Sequence, residues 1–306
     1  MSLTKQQIDT VFEKCPELEL REAEPLSQHT SFRTGGPARL MAFPKSPVEL
    51  QKLLFCTHAM GVRPVILGAG TNVLAPDSGL DALVICTRDC LCGITLLEGG
   101  RIEVMAGQSL ARTAVFARDN ALTGFEFAHG IPGTVGGGVY MNAGAYGAEM
   151  KQVLDSVRAF LLDGTERQFS AEELELGYRT SIFERLDAVI VSAALHLAPG
   201  DKETIQQTMT ELLNRRRTSQ PLELPSAGST FTRPAGYYAG ALIEGAGLKG
   251  KGVGGAKVSE KHAGFVVNFD HATSRDVLET IEYVQKTVFD ASGVMLEPEV
   301  RILREE

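Results

Sequence analysis

The 306-residue chain lacks several features that would assign it to a special class of protein. It has no apolar run of transmembrane length, and residues 1–13 are polar and charged instead of forming a signal-peptide core. It has no excess of positive charge, since 30 Lys and Arg face 38 Asp and Glu. Non-specific binding of nucleic acid, which needs a positive surface to contact the phosphates, is therefore not expected. Its glycines have no three-residue period, which excludes collagen. The sequence therefore predicts a globular protein of about two domains, with no nucleic-acid and no membrane partner.

Cysteine is scarce, with Cys15, Cys56, Cys86, Cys90 and Cys92 as the five examples. The odd number and the missing signal peptide favour free thiols in a reducing compartment such as the cytosol. The last three are close in sequence, but no paired Cys-x-x-Cys spacing and no neighbouring histidine accompany them. We predict no metal site.

Apolar spacing and turn residues predict an α+β chain. The predicted helices are 2–14, one opening at Ser46-Pro47, 109–118, 202–217, 238–246 and 274–291. The predicted strands are 64–67, 82–86, 102–105, a hairpin of 153–162 with 167–169, then 188–197, 265–269 and 294–303. Pro199-Gly200 breaks the pattern, so we place a domain boundary there.

Glycine is concentrated in two windows, since residues 124–147 and residues 236–255 hold eight each of the 32 in the chain. Glycine within regular structure costs about 0.5–1 kcal/mol relative to alanine, so the first window needs a physical reason. Main chain lying against a bulky ligand is one reason, and a run of turns in a β-rich core is the alternative.

Two glycine motifs only partly match nucleotide-binding patterns. Gly68-Ala69-Gly70 follows a short β-rich run, but the third glycine and the helix of a dinucleotide fingerprint are missing. This turn could still present N–H groups to a phosphate, or it could be a tight turn alone. Gly245-x4-Gly250-Lys251 continues with glycine where a P-loop needs Ser or Thr for magnesium, so we reject an ATPase.

Several polar residues are chemically ambiguous when each is taken alone. Ser229 follows Gly228 but lacks the second glycine of a hydrolase elbow, and a turn residue is the simpler interpretation. Glu297 and Glu299 flank Pro298 and could form the carboxylate pair of a glycosidase. A single pair of this kind is weak support for that activity. The local positive runs could hold phosphate or be solvated surface.

Taken together and in order, five segments resemble the UDP-N-acetylenolpyruvoylglucosamine reductases, flavin enzymes that make UDP-N-acetylmuramate for bacterial cell walls. The segments are 65–74, 130–137, 178–183, 225–231 and 297–300, within a resemblance that extends from His29 to the C-terminus. The chain passes directly from Phe183 to the predicted strand 188–197. It therefore resembles the shorter type of the family, which lacks the inserted loop whose tyrosine covers the substrate diphosphate.

The resemblance implies an α+β fold with an FAD-binding domain of the vanillyl-alcohol-oxidase type and a smaller α/β substrate lobe. The implied division is an N-terminal segment 1–31, an FAD domain 32–198 and a substrate domain 199–306. FAD and NADPH are the implied cofactor and reductant. The residues implied to border FAD are Arg33, Gly36, Leu67, Gly68, Ala69, Gly70, Thr71, Asn72, Val73, Gly130, Ile131, Pro132, Gly133, Thr134, Gly136, Gly137, Asn142, Ala143 and Gly144.

The resemblance also implies roles in catalysis. Hydride from flavin N5 would add to the enolpyruvyl methylene carbon, Arg179 would bind the substrate carboxylate, Ser229 would donate a proton and Glu299 would support the intermediate. The expected substrate is UDP-N-acetylglucosamine enolpyruvate, with Arg217, Arg233 and Lys257 as candidates for binding its diphosphate. A monomer in the bacterial cytoplasm is expected. The alternative is an FAD-dependent sugar or alcohol oxidase of the same FAD fold.

Overall fold

The computed structural model describes residues 2–304 and has mixed helix and strand content. The α-helices are α1 (Lys5–Lys14), α2 (Pro47–Ala59), α3 (Leu110–Asp119), α4 (Val135–Tyr140), α5 (Lys202–Ser219), α6 (Ala239–Gly245) and α7 (Ser274–Ser292). The strands are β1 (Glu19–Pro25), β2 (Pro37–Phe43), β3 (Val65–Leu67), β4 (Val73–Leu74), β5 (Leu80–Cys86), β6 (Ile94–Leu96), β7 (Arg101–Met105), β8 (Leu122–Thr123), β9 (Gly144–Ala145), β10 (Ala148–Glu149), β11 (Leu154–Leu161), β12 (Glu166–Ser170), β13 (Ala188–His196), β14 (Ala198–Pro199), β15 (Gly252–Val253), β16 (Ala256–Val258), β17 (Val266–Asn268) and β18 (Arg301–Ile302).

The chain divides into two compact units. The first unit comprises Met1–Glu22, Leu40–Ala69 and Ala82–Arg215, and the second comprises Ala23–Arg39, Gly70–Asp81 and Arg216–Glu306. Two short N-terminal stretches therefore pack with the C-terminal third of the sequence. These units describe packing, and the functional division at residues 31 and 198 stays a prediction.

Two sheets have most of their residues in the first unit, and each has its own apolar core. Strands β1, β2, β5 and β3 form a four-stranded sheet in the order β1-β2-β5-β3, in which β3 runs parallel to β5. Helices α1 and α2 cover this sheet and bury Val11 and Leu53 completely. The second sheet is five-stranded, in the order β12-β11-β13-β7-β6, and packs against α3 and α4. Both cores lie wholly within this unit.

The second unit is built on a three-stranded antiparallel sheet, β15-β16-β17, and on α7. The apolar stripe Val277, Ile281, Val284 and Val288 of α7 is buried against this sheet, as its three- and four-residue spacing predicts. Phe32 from the N-terminal stretch is also fully buried in this core.

Polar capping residues begin several helices where the sequence predicts them. Ser46 accepts a hydrogen bond from the N–H of Glu49 at the start of α2, and Ser109 does the same for Arg112 at the start of α3. Gly293 ends α7 in the left-handed conformation, with φ of 70°. These caps explain why the predicted start of α2 and the predicted bounds of α3 and α7 agree closely with the observed ones.

The predicted strand 294–303 is replaced by an extended segment that changes partner along its length. Pro298 forms a single bridge to Phe231, and only Arg301–Ile302 forms a strand, parallel to Val73–Leu74. Proline has no N–H to donate to a continuous ladder, and this accounts for the interruption. Among residues 2–304, no helix is both long and apolar enough to cross a membrane.

The acid dependence of stability should depend in part on Asp276 at the start of α7. Its pKa is lowered, first by the hydrogen bond from the N–H of Thr273, to which Asp276 Oδ2 lies at 2.9 Å. A lowered pKa adds stability that is present above the unfolded-state pKa of about 3.9 and is lost as the pH falls through the lower folded-state value.

We therefore expect Asp276→Asn to reduce the free energy of unfolding near pH 7 by about 0.5–1 kcal/mol, as for loss of a charged cap. Urea unfolding at several pH values measures this, with the exposed Asp290→Asn near the other end of α7 as control. A loss of equal size at pH 7 and at pH 2 would contradict the argument.

Candidate functional site

The segment that follows β3 is compact because its glycines meet other parts of the protein. A Cβ placed on Gly68 would lie 2.7 Å from Thr134 Oγ1. Gly70 has φ of 62°, and a Cβ there would overlap the carbonyl oxygen of His29. The carbonyl oxygen of Gly70 also accepts a hydrogen bond from the N–H of Ser31, at 2.9 Å. The tight-turn interpretation thus explains Gly70, whereas Gly68 and Ala69 remain partly exposed.

The predicted residues near the N-terminus lie on a turn within the second unit. Arg33 is exposed and has φ of 59°, a left-handed conformation that costs a non-glycine residue about 1 kcal/mol. A Cβ on Gly36 would overlap the carbonyl oxygen of Asp77. The N–H of Gly36 also donates to the carbonyl oxygen of Pro76 at 2.9 Å. The structure thus brings the Arg33–Gly36 turn against the Gly70–Asp81 stretch of the same unit.

Substitution of Gly70 should be far more damaging than substitution of a glycine in open space. We expect Gly70→Ala to lower the free energy of unfolding by more than about 2 kcal/mol, because both the φ and the overlap oppose a Cβ. Gly245, the last residue of α6, has no atom within 4 Å of its added Cβ. Gly245→Ala is the matched control and should be neutral or slightly stabilising by chemical denaturation. Equal losses for the two variants would contradict the contact argument.

The first glycine window contains a short helix, α4, whose glycines have different environments. A Cβ on Gly136 would lie 2.9 Å from Ala106 Cβ, and one on Gly138 would lie 3.2 Å from the side chain of Leu110. A side chain at Gly136 would overlap Ala106, which follows β7, and one at Gly138 would crowd Leu110 of α3. Gly137 is exposed, and its added Cβ would meet only the hydroxyl of Thr134, at 3.4 Å. Exposed main chain therefore occurs at Gly137.

Thr134 links the two glycine segments of the first unit. It is buried and caps α4, its hydroxyl accepting from the N–H of Gly137 at 3.3 Å. The same hydroxyl is the atom nearest to a Cβ on Gly68. The residues preceding it, Gly130, Ile131 and Gly133, are partly exposed, and Pro132 is exposed. Thr134 thus lies close to Gly68 of the first motif and caps the helix that follows the second.

Arg179 lies in a tight turn at the end of a paired segment. Gly177 and Thr180 pair across the turn, with the N–H of Gly177 donating to Thr180 O at 3.1 Å. Arg179 has φ of 57°, and its Nη2 donates to the carbonyl oxygen of Gly144 at 3.3 Å. A bulky residue held in this conformation stores backbone strain, a feature that clusters at functional sites. The structure therefore brings Arg179 to the end of the first glycine window.

Ser229 and Glu299 lie on two adjacent segments of the second unit. Glu299 donates its N–H to the carbonyl oxygen of Thr230 at 2.8 Å, and Phe231 bridges to Pro298. Thr230 is fully buried and its hydroxyl accepts from the N–H of Val266, whereas Ser229 is exposed. The buried threonine holds the segment and leaves the neighbouring serine hydroxyl accessible.

Asn72 connects the first motif to this pair. Its Nδ2 donates to the carbonyl oxygen of Glu299 at 3.1 Å, and its carbonyl oxygen accepts from the N–H of Arg301 at 2.9 Å. The structure therefore brings Asn72, Ser229 and Glu299 into one backbone-linked cluster. Because 227 residues separate Asn72 from Glu299, no local sequence pattern predicts this contact.

The three predicted diphosphate-binding cations lie in the second unit, where two of them contact aromatic rings. The Arg233 guanidinium lies 4.1 Å from the ring centre of Tyr238, and Lys257 Nζ lies 4.8 Å from that of Phe269. Arg217 is exposed near the end of α5, and its carbonyl oxygen accepts from Lys261 Nζ at 2.7 Å. Lys257 also pairs with Glu260 at 2.9 Å.

All five cysteines are free, and burial raises the pKa of the Cys86 thiol to about 11 and that of Cys90 to about 12. A raised pKa keeps a thiol protonated and poorly nucleophilic near neutral pH. Within the part of the chain that the structure describes, no group of three or more His, Cys, Asp and Glu residues could hold a metal ion.

One observation shows that the predicted FAD-contacting residues fit a large anionic cofactor. Main chain with small side chains is accessible at Gly68, Ala69, Gly133 and Gly137, where a bulky ligand could approach. Neutral N–H donors at such positions can bind phosphate without a positive surface. Asn142, by contrast, is fully buried.

Two family models match separate parts of the chain. Residues 38–170 match the FAD binding domain family, and residues 220–303 match the C-terminal domain of UDP-N-acetylenolpyruvoylglucosamine reductase. The UDP-N-acetylenolpyruvoylglucosamine reductase of Limosilactobacillus fermentum is 45% identical over 97% of this chain and 98% of its own length. That of Geobacillus kaustophilus is 42% identical over the full length of both chains.

A solved structure is similar over the same extent. The crystal structure of UDP-N-acetylenolpyruvylglucosamine reductase from Thermus caldophilus has a TM-score of 0.79 and 33% identity, covering 94% of this chain and 99% of that one. The predicted α+β fold, with an FAD-binding domain and a smaller C-terminal domain, is confirmed, whereas the vanillyl-alcohol-oxidase type of the FAD-binding domain stays a prediction. The resemblance found in the five sequence segments is confirmed as well, and the chain belongs to the UDP-N-acetylenolpyruvoylglucosamine reductase family.

Proposed function

We propose that this chain catalyses the NADPH-dependent reduction of UDP-N-acetylglucosamine enolpyruvate to UDP-N-acetylmuramate, a step in peptidoglycan precursor synthesis, with FAD as its cofactor. The observation that carries the proposal is the backbone link between Thr230 and Glu299, which places an accessible Ser229 hydroxyl next to a carboxylate-bearing segment. A proton donor and its acidic partner both have to reach the reacting group, and adjacent segments suit this requirement.

The cofactor would be held by main-chain donors and small residues. The proposed contacts are Arg33 and Gly36, residues 67–73, residues 130–134, Gly136 and Gly137, and the main chain of residues 142–144. When bound, FAD supplies the hydride that it has received from NADPH. Neutral amides suit the net charge of −8, which leaves few cations for the anionic ligands.

Arg179 would bind the carboxylate of the enolpyruvyl group. Negative charge builds on this carboxylate and the adjacent carbon when hydride adds to the terminal methylene carbon. A fixed guanidinium that is already in place stabilises such charge most where water is excluded. The turn supports this role, because its hydrogen bond to Gly144 and its left-handed backbone hold Arg179 before substrate arrives.

Ser229 would donate the proton that completes the reduction. A hydroxyl is a weak acid, but the carbanion-like carbon is a strong base, so a well-placed weak acid is sufficient. Glu299 would support the intermediate, either directly or through the proton of Ser229. Asn72 and Thr230 keep these two segments in register through their hydrogen bonds to Glu299.

Arg217, Arg233 and Lys257 would bind the substrate diphosphate. Only three residues separate the short 3-10 helix Ile182–Glu184 from β13, so the chain has no long loop there that could cover this group. We assign residues 1–31 and 32–198 to FAD binding and residues 199–306 to substrate binding, in a monomer of the bacterial cytoplasm. Molar mass in solution, with and without substrate, tests the monomer.

Native purification followed by a two-substrate assay tests the proposed function. The protein should carry FAD, released and identified after denaturation, and should sustain NADPH consumption only when the enolpyruvyl sugar nucleotide is present. Flavin-free protein that cannot be loaded with FAD would overturn the proposal. Rapid oxygen-linked turnover of a free sugar would identify an oxidase instead.

A further inference from the structure

The Arg179 turn is held from beneath by a buried asparagine. Asn142 is fully buried, and its Nδ2 donates to the carbonyl oxygen of Gly177 at 2.8 Å. Its Oδ1 accepts from the N–H of Lys151 at 2.9 Å, so both ends of the amide are used. The amide thus joins three separate stretches of the first unit.

The backbone of Asn142 suits this task. Its φ is 41°, and it follows the C-terminal cap of α4, where asparagine is the commonest residue after glycine to adopt a left-handed conformation. Its N–H donates to Val139 O at 3.1 Å. The side chain is therefore anchored to the end of α4 and not to a loose loop.

The carbonyl that Asn142 binds belongs to the residue that closes the turn. The N–H of Thr180 donates to Gly177 O at 3.5 Å, a long hydrogen bond, so the shorter bond from Asn142 dominates the position of this carbonyl. On the other flank, Ser181 is buried and its hydroxyl donates to Tyr140 O at 2.7 Å. Both flanks of the turn are thus tied to the end of α4.

A strained turn needs such support. Arg179 at φ of 57° would relax to an ordinary conformation if the flanking residues were free to move. Its guanidinium donates to Gly144 O at 3.3 Å, two residues after Asn142. Residues 142–144 therefore support Arg179 in two ways. Asn142 fixes the backbone of its turn, and Gly144 accepts a hydrogen bond from its side chain.

We infer that Asn142 is a positioning residue for Arg179: its side-chain amide fixes the Gly177 carbonyl and so aims the guanidinium at the substrate carboxylate. This inference rests on the proposed role of Arg179. It assigns the buried side chain to the turn, while the main chain of this segment is still proposed to border FAD.

Two substitutions that tolerate a left-handed backbone test the inference. Asn142→Asp is nearly isosteric and still accepts from Lys151, but it removes the donor to Gly177. Asn142→Gly removes the side chain and keeps the conformation. Lys151→Ala is the control, because only the main-chain N–H of this exposed residue takes part. Each variant is purified with FAD and followed by anaerobic stopped-flow absorbance.

We expect both Asn142 variants to bind FAD and to be reduced by NADPH at the rate of the unchanged protein, because both keep the main chain that is proposed to border FAD. Oxidation of the reduced flavin by the enolpyruvyl sugar nucleotide should slow by about 10- to 100-fold, as for a small misplacement of a catalytic group. In the background of Arg179→Met, Asn142→Asp should cause little further loss, because a residue acting through Arg179 has nothing left to position.

Three outcomes would overturn the inference. They are a loss that is fully additive with Arg179→Met, an equal slowing of flavin reduction by NADPH, and failure of both Asn142 variants to fold with FAD. Failure of the proposed function has a different signature. In that case the sugar nucleotide would oxidise the reduced flavin of the Arg179→Met single variant as fast as that of the unchanged protein, whatever the Asn142 variants do.

Discussion

The Ser229→Ala variant should bind FAD, and NADPH should reduce this flavin at an undiminished rate. The variant should nevertheless form product about 10²–10⁴ times more slowly. The reason is that flavin reduction requires no proton from Ser229, whereas completion of the sugar-nucleotide reduction does. Ser229 is exposed next to the fully buried Thr230, so removing its hydroxyl leaves the hydrogen bonds that hold the segment intact. Anaerobic stopped-flow measurement of the two half-reactions separates these steps.

The matched control for this substitution is Ser226→Ala. Ser226 lies three residues earlier in the same segment and is held by a main-chain bridge to Val267. It should leave both half-reactions unchanged. If Ser229→Ala instead lost flavin reduction or released FAD, Ser229 would be a structural residue, and the proposed proton transfer would need another donor.

Arg179→Met should reduce the rate of flavin oxidation by the sugar nucleotide about 10²–10³-fold, the usual loss when one charge-stabilising donor is removed. Methionine keeps much of the side-chain volume but none of the charge. The rate for Arg179→Lys should lie between that of the unchanged protein and that of Arg179→Met, because an ammonium is a point charge and cannot bind a carboxylate through two parallel hydrogen bonds. Single-turnover rates and the affinity for the substrate should both be measured.

Arg185→Met provides the control for loss of one positive charge. Arg185 is exposed, lies six residues further along the chain and pairs with Glu175. Its removal should change neither half-reaction, since an exposed ion pair contributes little. If Arg179→Met behaved like Arg185→Met, Arg179 would not bind the reacting carboxylate.

Local signals predicted most of the regular structure. Ser46 before Pro47, Ser109 and Gly293 mark helix ends through capping, which depends only on neighbouring residues. The spacing of Val277, Ile281, Val284 and Val288 identifies the buried face of α7 for the same reason. The Asp163-Gly164 turn likewise marks the hairpin of β11 and β12.

Long-range packing could not be predicted in this way. Residues 23–39 and 70–81 pack with the C-terminal third, because side chains such as Phe32 complete its core. Nor does the composition distinguish Gly137, which is exposed, from Gly136 and Gly138, which neighbouring side chains crowd. Family resemblance supplied Arg179, Ser229 and Glu299 as candidates. The contact of Asn142 with Gly177 depends on the fold, since 35 residues separate the two.

The most direct test of the central claim is NADPH oxidation by the purified flavoprotein under anaerobic conditions, with and without UDP-N-acetylglucosamine enolpyruvate, together with the mass of the sugar-nucleotide product. We predict sustained NADPH consumption only with this substrate, and a product heavier by two hydrogen atoms. A protein that retains FAD and is reduced by NADPH but returns the enolpyruvyl compound unchanged would contradict the account.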